Sequence, residues 1–400
     1  MKHILSGIVV VDFSQVIAGP ACTRLMAELG AEVIKVELAP TGDPSRMLPT
    51  LREGFSGYYI QHNHGKKGIC IDPRQPEGLA LLKDLIAKAD VMVENFSPGA
   101  IARLGLGWNV VHALNPSLIM CSISAFGQEG PLRALPGYDY IAQAYAGVTS
   151  MIGEADAPPA LAGLAMGDIG TAMTALATIN GALFWRSRNG NKGQFLDISL
   201  LDYYFYCHEL NVEVASTGGH PMRNGSHHGA VAPMGIYRAR GGFIMIVLLE
   251  HQWPQLCQAL GQAELVDDPR FVSNQNRLDN VDQLTAIIES WLQSLPDLET
   301  ALAKLEEDRV PVAPILTVEQ AIKHPHLIER GTVKELSHPV LGDFIVPANP
   351  LRYSEGLPPP PTKAPMLGED NHAVLRQHLG LDDDRLAELE SAGVLVAGKS

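Results

Sequence analysis

The chain has 400 residues, 46% hydrophobic and 18% charged, which fits a folded protein of two or three domains and excludes a disordered one. Its formal net charge of −14 argues against nucleic acid or an anionic membrane surface as the main partner, though local Lys and Arg can still build a pocket for a small anion. The five cysteines (Cys22, Cys70, Cys121, Cys207 and Cys257) are odd in number, far apart and form no C-x-x-C, so neither a disulfide framework nor a structural zinc site is expected and a reducing cytoplasm fits.

Asp12 cuts short the apolar run at the N-terminus, which reads as a first strand over 8–13 rather than a signal peptide. No segment reaches about 18 strongly apolar residues, so no membrane span is expected. A helix over 20–29 follows, then a strand over 32–37, a strand over 68–72 and a helix over 76–89. A strand over 91–94, a helix over 98–104 and a strand over 117–124 complete the first half. Short apolar strands alternating with helices predict an α/β, doubly wound, Rossmann-like parallel sheet.

Beyond Tyr138 helices are predicted over 138–151 and 168–188, a strand over 195–200 and a helix over 201–215. The Gly-, His- and Asn-rich stretch 216–229 reads as a linker. A smaller α+β unit follows, with a hairpin of 234–238 and 243–248 around Gly241-Gly242, helices over 252–260, 281–294 and 298–308, and a strand over 312–316. The prolines from Pro325 through Pro339, Pro347 and Pro350 to 358–361 read as a second linker, and 381–392 as a final helix. No internal repeat is visible.

Several groups could carry chemistry. The turn after the first strand, Val16-Ile17-Ala18-Gly19-Pro20, lacks the G-x-G-x-x-G that a dinucleotide pyrophosphate needs, although Glu37 ends the second strand where a ribose-binding acid would sit. The basic run His62-Asn63-His64-Gly65-Lys66-Lys67, with Arg46 and Arg103 in the same half, is either a solvated loop or a phosphate-binding edge. Asn95-Phe96 closes the strand at 91–94 at its C-terminal end, where ligands bind in open α/β sheets. Tyr138-Asp139 either begins a helix or faces a substrate. His227-His228 has no Asp, Glu or Cys following at ligand spacing, so no metal is expected.

Asp168, in Gly167-Asp168-Ile169-Gly170, stands at the mouth of a stretch, 169–186, that carries no charge until its final Arg. It reads as a helix N-cap held ionised by the helix dipole, and the same features suit a nucleophile toward an activated acyl carbon.

The order of these motifs resembles the class III CoA-transferase family, which includes formyl-CoA and carnitine CoA-transferases. The resemblance runs from Ala18-Gly19-Pro20 through Leu29-Gly30-Ala31-Glu32-Val33-Ile34-Lys35-Val36-Glu37 and Gly42-Asp43 with Arg46. It continues in Asn95-Phe96-Ser97-Pro98-Gly99-Ala100 with Arg103-Leu104-Gly105, in Tyr138-Asp139 with Ala142-Gln143-Ala144, and in Gly167-Asp168. Asp268-Pro269-Arg270-Phe271, Val310-Pro311-Val312-Ala313-Pro314, Ala364-Pro365 and Leu367-Gly368-Glu369 carry it to the end of the chain.

The resemblance implies an interlocked homodimer. Each subunit would have a large CoA-binding domain of residues 1–200 completed by about 330–400, a linker at 201–224 and a small α+β domain at 225–325. It implies Asp168 as the nucleophile on an acyl-CoA donor, an aspartyl-CoA intermediate, and a small carboxylic acid as acceptor, with succinyl-CoA a first candidate donor and no tightly bound cofactor. The positions matching CoA contacts are Val16, Lys66, Asn95, Phe96 and Arg103, with Arg46 a further candidate; Ile17, Tyr138, Asp139, His227 and His228 are candidates at the substrate. Ile17 stands where formyl-CoA transferases carry Gln, Leu38 where many members carry Arg, and the glycine run of formyl-CoA transferases is replaced near Ser226-His227-His228-Gly229-Ala230. These departures point away from oxalate. α-Methylacyl-CoA racemases resemble the chain too but carry a His-Asp pair where it reads Tyr138-Asp139, and His suits proton exchange near neutral pH where Tyr does not. A racemase-like isomerase and a non-catalytic acyl-CoA-binding protein are the alternative readings.

Overall fold

The computed structural model describes residues 3–48, 51–358 and 363–398. The chain divides into two units, one of residues 1–146, 164–207 and 326–400, the other of 147–163 and 208–325.

The first unit opens with β1 (Val9–Asp12), α1 (Ala18–Glu28), β2 (Glu32–Leu38), the short pair β3 (Leu51–Arg52) and β4 (Phe55–Ser56), α2 (Gly57–Asn63), β5 (Lys67–Ile71) and α3 (Pro76–Ala87). It continues through β6 (Val91–Glu94), α4 (Ala100–Arg103), α5 (Trp108–Leu114), β7 (Ile119–Ser124), α6 (Asp139–Tyr145), α7 (Met166–Arg186), β8 (Gln194–Ser199) and α8 (Leu200–Tyr206). Six strands form one parallel sheet in the order β5-β2-β1-β6-β7-β8. Val10 lies between Val33 and Val91, and Val11 between Ile34 and Met92. These strands are apolar on both faces because helices cover both, which is why they read as continuous runs in the sequence. Strand order reverses between β1 and β6, so a crevice opens at their C-terminal ends.

In the second unit lie α9 (Asn211–Ser216), β9 (Met234–Ala239), β10 (Gly242–Val247), α10 (Trp253–Ala259), α11 (Asn274–Asp279), α12 (Val281–Ser294), α13 (Leu298–Glu307), β11 (Val312–Pro314) and α14 (Val318–Ala321). The antiparallel sheet β11-β10-β9 has its own core, with Tyr237, Ile244, Ile246, Leu256, Phe271, Ile288, Leu292 and Leu305 buried together. Arg277 is buried in it, its guanidinium bonded to the carbonyls of Ala232 and Phe271 and paired with Glu250.

α15 (Pro325–Glu329) leads back to the first unit, which ends in β12 (Val333–His338), β13 (Gly342–Pro347), α16 (Asn371–Leu379) and α17 (Asp383–Ser391). Val374, Leu375, Leu386, Leu389, Val394 and Leu395 pack into the same core as Val11, Ile34, Ile69 and Ile71, and Leu395 bridges to Ile71.

Four differences from the sequence reading stand out. The helix expected over 201–215 is two, α8 and α9, because the chain passes between the units at Cys207–His208. The helix expected over 138–151 stops at Tyr145, where Gly147 takes a left-handed φ of 80° and the chain again changes unit. Part of the expected second linker is the β12–β13 hairpin, with Pro339 in its turn and Pro347 at its end; residues 359–361 of that linker lie outside the described residues. The unit containing the small sheet also takes in 147–163, which the expected domain boundaries placed in the large domain.

Candidate active site

At the crevice between β1 and β6 the two connecting loops are tied together like a pair of strands. The Gln15 N–H donates to Asn95 Oδ1 at 2.7 Å, and Asn95 Nδ2 returns a bond to the Gln15 carbonyl at 2.8 Å. Val16 is held at a φ of 66°, a left-handed conformation that costs a β-branched residue energy and needs surrounding contacts to hold it. One such contact is the Val16 N–H, which donates to Asp43 Oδ1 at 3.2 Å. Gly19 has no room for a Cβ because it would overlap Ser14. Ile17 is buried at the N-cap of α1. Phe96 is half-buried, its N–H bonded to Glu94 Oε2 at 2.9 Å, and burial pushes the Glu94 carboxyl up to about 7. Arg103, the last residue of α4, is exposed, and its guanidinium makes no hydrogen bond or ion pair among the described residues.

Lys66 and Arg46 are placed differently from the phosphate contacts the sequence suggested. The Lys66 ammonium is buried beneath the loop, donating to Asp12 Oδ2 at 2.9 Å, to the Pro20 carbonyl at 3.0 Å and to Asn63 Oδ1 at 2.9 Å. Burial pulls it down to about 8 against the pull of Asp12. Burial alone would push Asp12 up, but Lys66 and Lys35 more than offset this and hold it at about 2. Lys35 pairs with Asp43 at 2.8 Å and reaches the Ser14 carbonyl. Arg46 grips Glu37 through two bonds of 2.7 and 2.6 Å and lies 3.8 Å over the Tyr59 ring. Glu37, which ends a strand where a ribose-binding acid would sit, is thus spent on Arg46. Lys66 and Lys35 thus support the crevice loop from beneath, Arg46 holds Glu37, and Arg103 is exposed.

Asp168 is the third residue of α7, not its cap. Ala165 occupies the cap position without a side-chain bond. Burial first, then the negative charge of Asp139, push the Asp168 carboxyl up to about 7. Asp139, the first residue of α6, is buried and receives the Asp168 N–H at Oδ2, 2.8 Å away. Its other oxygen takes the hydroxyl of Tyr204. That hydroxyl also receives the Gly167 N–H at 2.9 Å and Gln143 Nε2 at 3.2 Å. The glycines around Asp168 serve packing. A Cβ on Gly167 would overlap the Tyr204 ring, and one on Gly170 the Tyr203 ring.

Tyr58, on α2, senses the same charge: burial and then Asp168 push its phenol up to about 12. Tyr138 stands at the cap of α6 without a capping bond and is 80% exposed. His227 and His228 belong to the second unit, His227 against the Tyr237 ring and His228 accepting the Ala230 N–H at 3.2 Å. Among the described residues no group of three His, Cys, Asp or Glu is placed to hold a metal ion, and no helix is long and apolar enough to cross a membrane.

The sequence reading missed Tyr58 and Tyr204. Tyr204 lies in the aromatic run Tyr203-Tyr204-Phe205-Tyr206, where spacing does not separate the one buried hydroxyl from its neighbours.

Residues 5–371 match the family model described as CoA-transferase family III. The chain is 34% identical to a formyl-CoA:oxalate CoA-transferase of Streptomyces avermitilis, over 99% of this chain and all of that one. It is 32% identical to a human succinyl-CoA:glutarate CoA-transferase, over 98% of this chain and 90% of that one. Among solved structures, a CAIB/BAIF family protein from Brucella suis matches with a TM-score of 0.83 at 32% identity, covering 94% of this chain and 100% of that one. A family model spanning nearly the whole chain, full-length relatives and a shared architecture agree, and the chain belongs to CoA-transferase family III.

Proposed function

We propose that this protein moves CoA from a short acyl-CoA, succinyl-CoA being the first candidate, to a small carboxylic acid through a covalent intermediate on Asp168. The observation that carries this reading is the state of the Asp168 carboxyl. It is partly desolvated, no cation among the described residues is a cause of its shift, and it takes no capping role in α7. Such a carboxylate is a better nucleophile than a solvated one.

The sequence of steps conserves charge and bonds. An Asp168 oxygen attacks the donor thioester carbon; the C–S bond breaks, giving a mixed anhydride and CoA thiolate. The thiolate attacks the Asp168 carbonyl and expels the donor carboxylate, leaving an aspartyl-CoA thioester. The acceptor carboxylate attacks that thioester, releasing thiolate and forming a second anhydride. Thiolate attack on the acceptor's acyl carbon then frees Asp168 and the new acyl-CoA. Each oxyanion needs N–H donors, and exclusion of water keeps the anhydrides from hydrolysis.

We assign the CoA moiety to the crevice loops at Val16, Asn95 and Phe96, with Arg103 on a phosphate, and the acyl and acceptor groups to the neighbourhood of Ile17, Tyr138 and Asp168. Lys66 and Arg46 act from beneath, by holding Asp12 and Glu37. The relatives named for oxalate and for glutarate support small dicarboxylates as a class. Both Asp139 oxygens are engaged, which disfavours it as a proton-exchanging base of the racemase kind. Phe184 and Trp185 on α7 and Phe205 and Tyr206 on α8 are exposed aromatic residues, which supports a homodimer that covers them, and a cytoplasmic enzyme fits the free cysteines.

The experiment is a trap. Succinyl-CoA is mixed with the enzyme, the product is quenched with hydroxylamine or borohydride, and peptides are mapped by mass spectrometry. Modification is expected at Asp168, and Asp168→Ala is expected to abolish transfer to glutarate, oxalate and other acids while leaving the fold intact. Substantial transfer by Asp168→Ala would sink the reading.

A further inference from the structure

Outside the crevice, the hydroxyl of Tyr204 is a fully engaged polar group where α6, α7 and α8 meet. It donates to Asp139 Oδ1 and accepts from two donors, the Gly167 N–H at 2.9 Å and Gln143 Nε2 at 3.2 Å. A tyrosine hydroxyl has one proton and two lone pairs, so these three bonds satisfy it completely. They tie together three elements: Asp139 and Gln143 on α6, Gly167 on the first turn of α7, and Tyr204 on α8. Asp139 extends the tie by one step, because its second oxygen receives the Asp168 N–H at 2.8 Å. The Tyr204 ring is 2% exposed and closes against Gly167, where no side chain fits. A phenylalanine would fill the same space without the bonds.

We propose that Tyr204 is a positioning residue for the nucleophile, its hydroxyl fixing both the main chain that carries Asp168 and the Asp139 carboxylate beside it. This rests on Asp168 being the nucleophile. Tyr204 touches neither substrate nor reacting atom; it acts through Gly167 and Asp139. In a partly desolvated site, displacement of the attacking carboxylate by about 1 Å costs about 100-fold in rate. Removing the hydroxyl leaves the Gly167 N–H and one Asp139 oxygen without their shared partner, and both can drift.

The tie also governs protonation. The titratable groups coupled to Asp168 or Asp139 are Tyr58 on α2 and Tyr203 and Tyr204 on α8, and none of them adds positive charge. Asp139 alone raises the Asp168 carboxyl by charge. An Asp139 released by Tyr204 swings away from it, so the repulsion falls and Asp168 ionises at lower pH.

The test is Tyr204→Phe in the full-length enzyme, with succinyl-CoA as donor and glutarate as acceptor. We expect kcat to fall about 10- to 100-fold with KM for succinyl-CoA unchanged, and the acid limb of kcat/KM to move to lower pH. Unchanged kcat with an unmoved acid limb overturns the proposal, as does a change confined to KM. If Tyr204→Phe does not fold, Asp139→Asn replaces it: it keeps the acceptor for the Asp168 N–H, removes the charge, and must shift the acid limb in the same direction, a stationary limb being the overturning result. Trapping separates the two readings. Asp168 labelled in the wild type with Tyr204→Phe fully active refutes the positioning role alone. No label on Asp168 and an active Asp168→Ala refute the nucleophile itself.

Discussion

Asp168 carries an energetic burden that the proposed nucleophilic role explains. Its carboxyl ionises at about 7 in the folded protein, against an ordinary value of 3.8, because burial and Asp139 both resist the charge. Between those two values the folded chain holds a proton that the unfolded chain has released, so stability is lost as pH rises from about 4 through about 7 and stays lost above it. A shift of this size corresponds to about 4 kcal/mol, and screening at a half-buried group reduces that to about 2 kcal/mol. Asp168→Asn has no charge to bury. It is therefore expected to match the wild type near pH 4 and to exceed it by about 2 kcal/mol at pH 8 in urea titrations. A constant difference across that range would mean that the carboxyl is ionised throughout and that burial does not resist its charge. The same burden predicts that transfer activity rises with pH through about 7.

At the scale of elements, the contact of α7 with α8 depends on the absence of side chains at Gly167 and Gly170. The two positions differ in what they meet. Gly167 faces the buried Tyr204 ring, which its hydroxyl bonds prevent from turning, while Gly170 faces Tyr203, which is half-exposed. Alanine gains about 1 kcal/mol over glycine in helix propensity at both sites. Overpacking against a fixed ring costs about 1–3 kcal/mol, so Gly167→Ala is expected to destabilise and to lower kcat, whereas Gly170→Ala is expected to be near neutral because Tyr203 can rotate outward. Equal effects of the two substitutions on the urea midpoint would show that the Tyr204 ring is not fixed. The contrast also marks where the sequence was legible. The strands β1, β2, β5, β6 and β7 were readable because two-sided burial demands mainly apolar runs, which β2 interrupts only with the buried, paired Lys35 and Glu37. Asp168 stood out because a carboxylate beside an uncharged stretch is conspicuous. The seven-residue helices α2 and α5 are too short for a periodic pattern, and the prolines at the ends of β12–β13 imitate a linker. The charge pairs were hidden for another reason: Lys66 and Asp12 are 54 residues apart, and a lysine in a basic run looks solvated until its partner is seen. Tyr204 was hidden because burial of one hydroxyl among four aromatics is decided by tertiary packing.

For the whole molecule, the two units have separate cores, and the first is completed by the end of the chain. Leu386, Leu389, Val394 and Leu395 are buried with β1, β2 and β5, although more than 300 residues separate them in sequence from Ile71. The core of the second unit is built entirely from residues 237–312. Truncating one fully buried leucine removes its transfer energy and leaves a cavity, at about 2–5 kcal/mol. Leu389→Ala is therefore expected to lower the stability of the first unit by that amount and to leave the second unit's unchanged, because substitutions without shared partners act independently. Trp108 and Trp185 belong to the first unit, Trp253 and Trp291 to the second, so variants retaining one pair report on each unit by fluorescence. Hydrogen exchange offers a second measure: amides of β5 and α3 should lose protection in Leu389→Ala while those of β10 and α12 keep theirs. If both sets lose protection together, the units unfold as one, and the C-terminal helices must be regarded as stabilising the entire protein. If they separate, the tail acts as the closing element of the sheet that carries the crevice, and Leu389→Ala should weaken CoA binding at temperatures where the second unit is still intact.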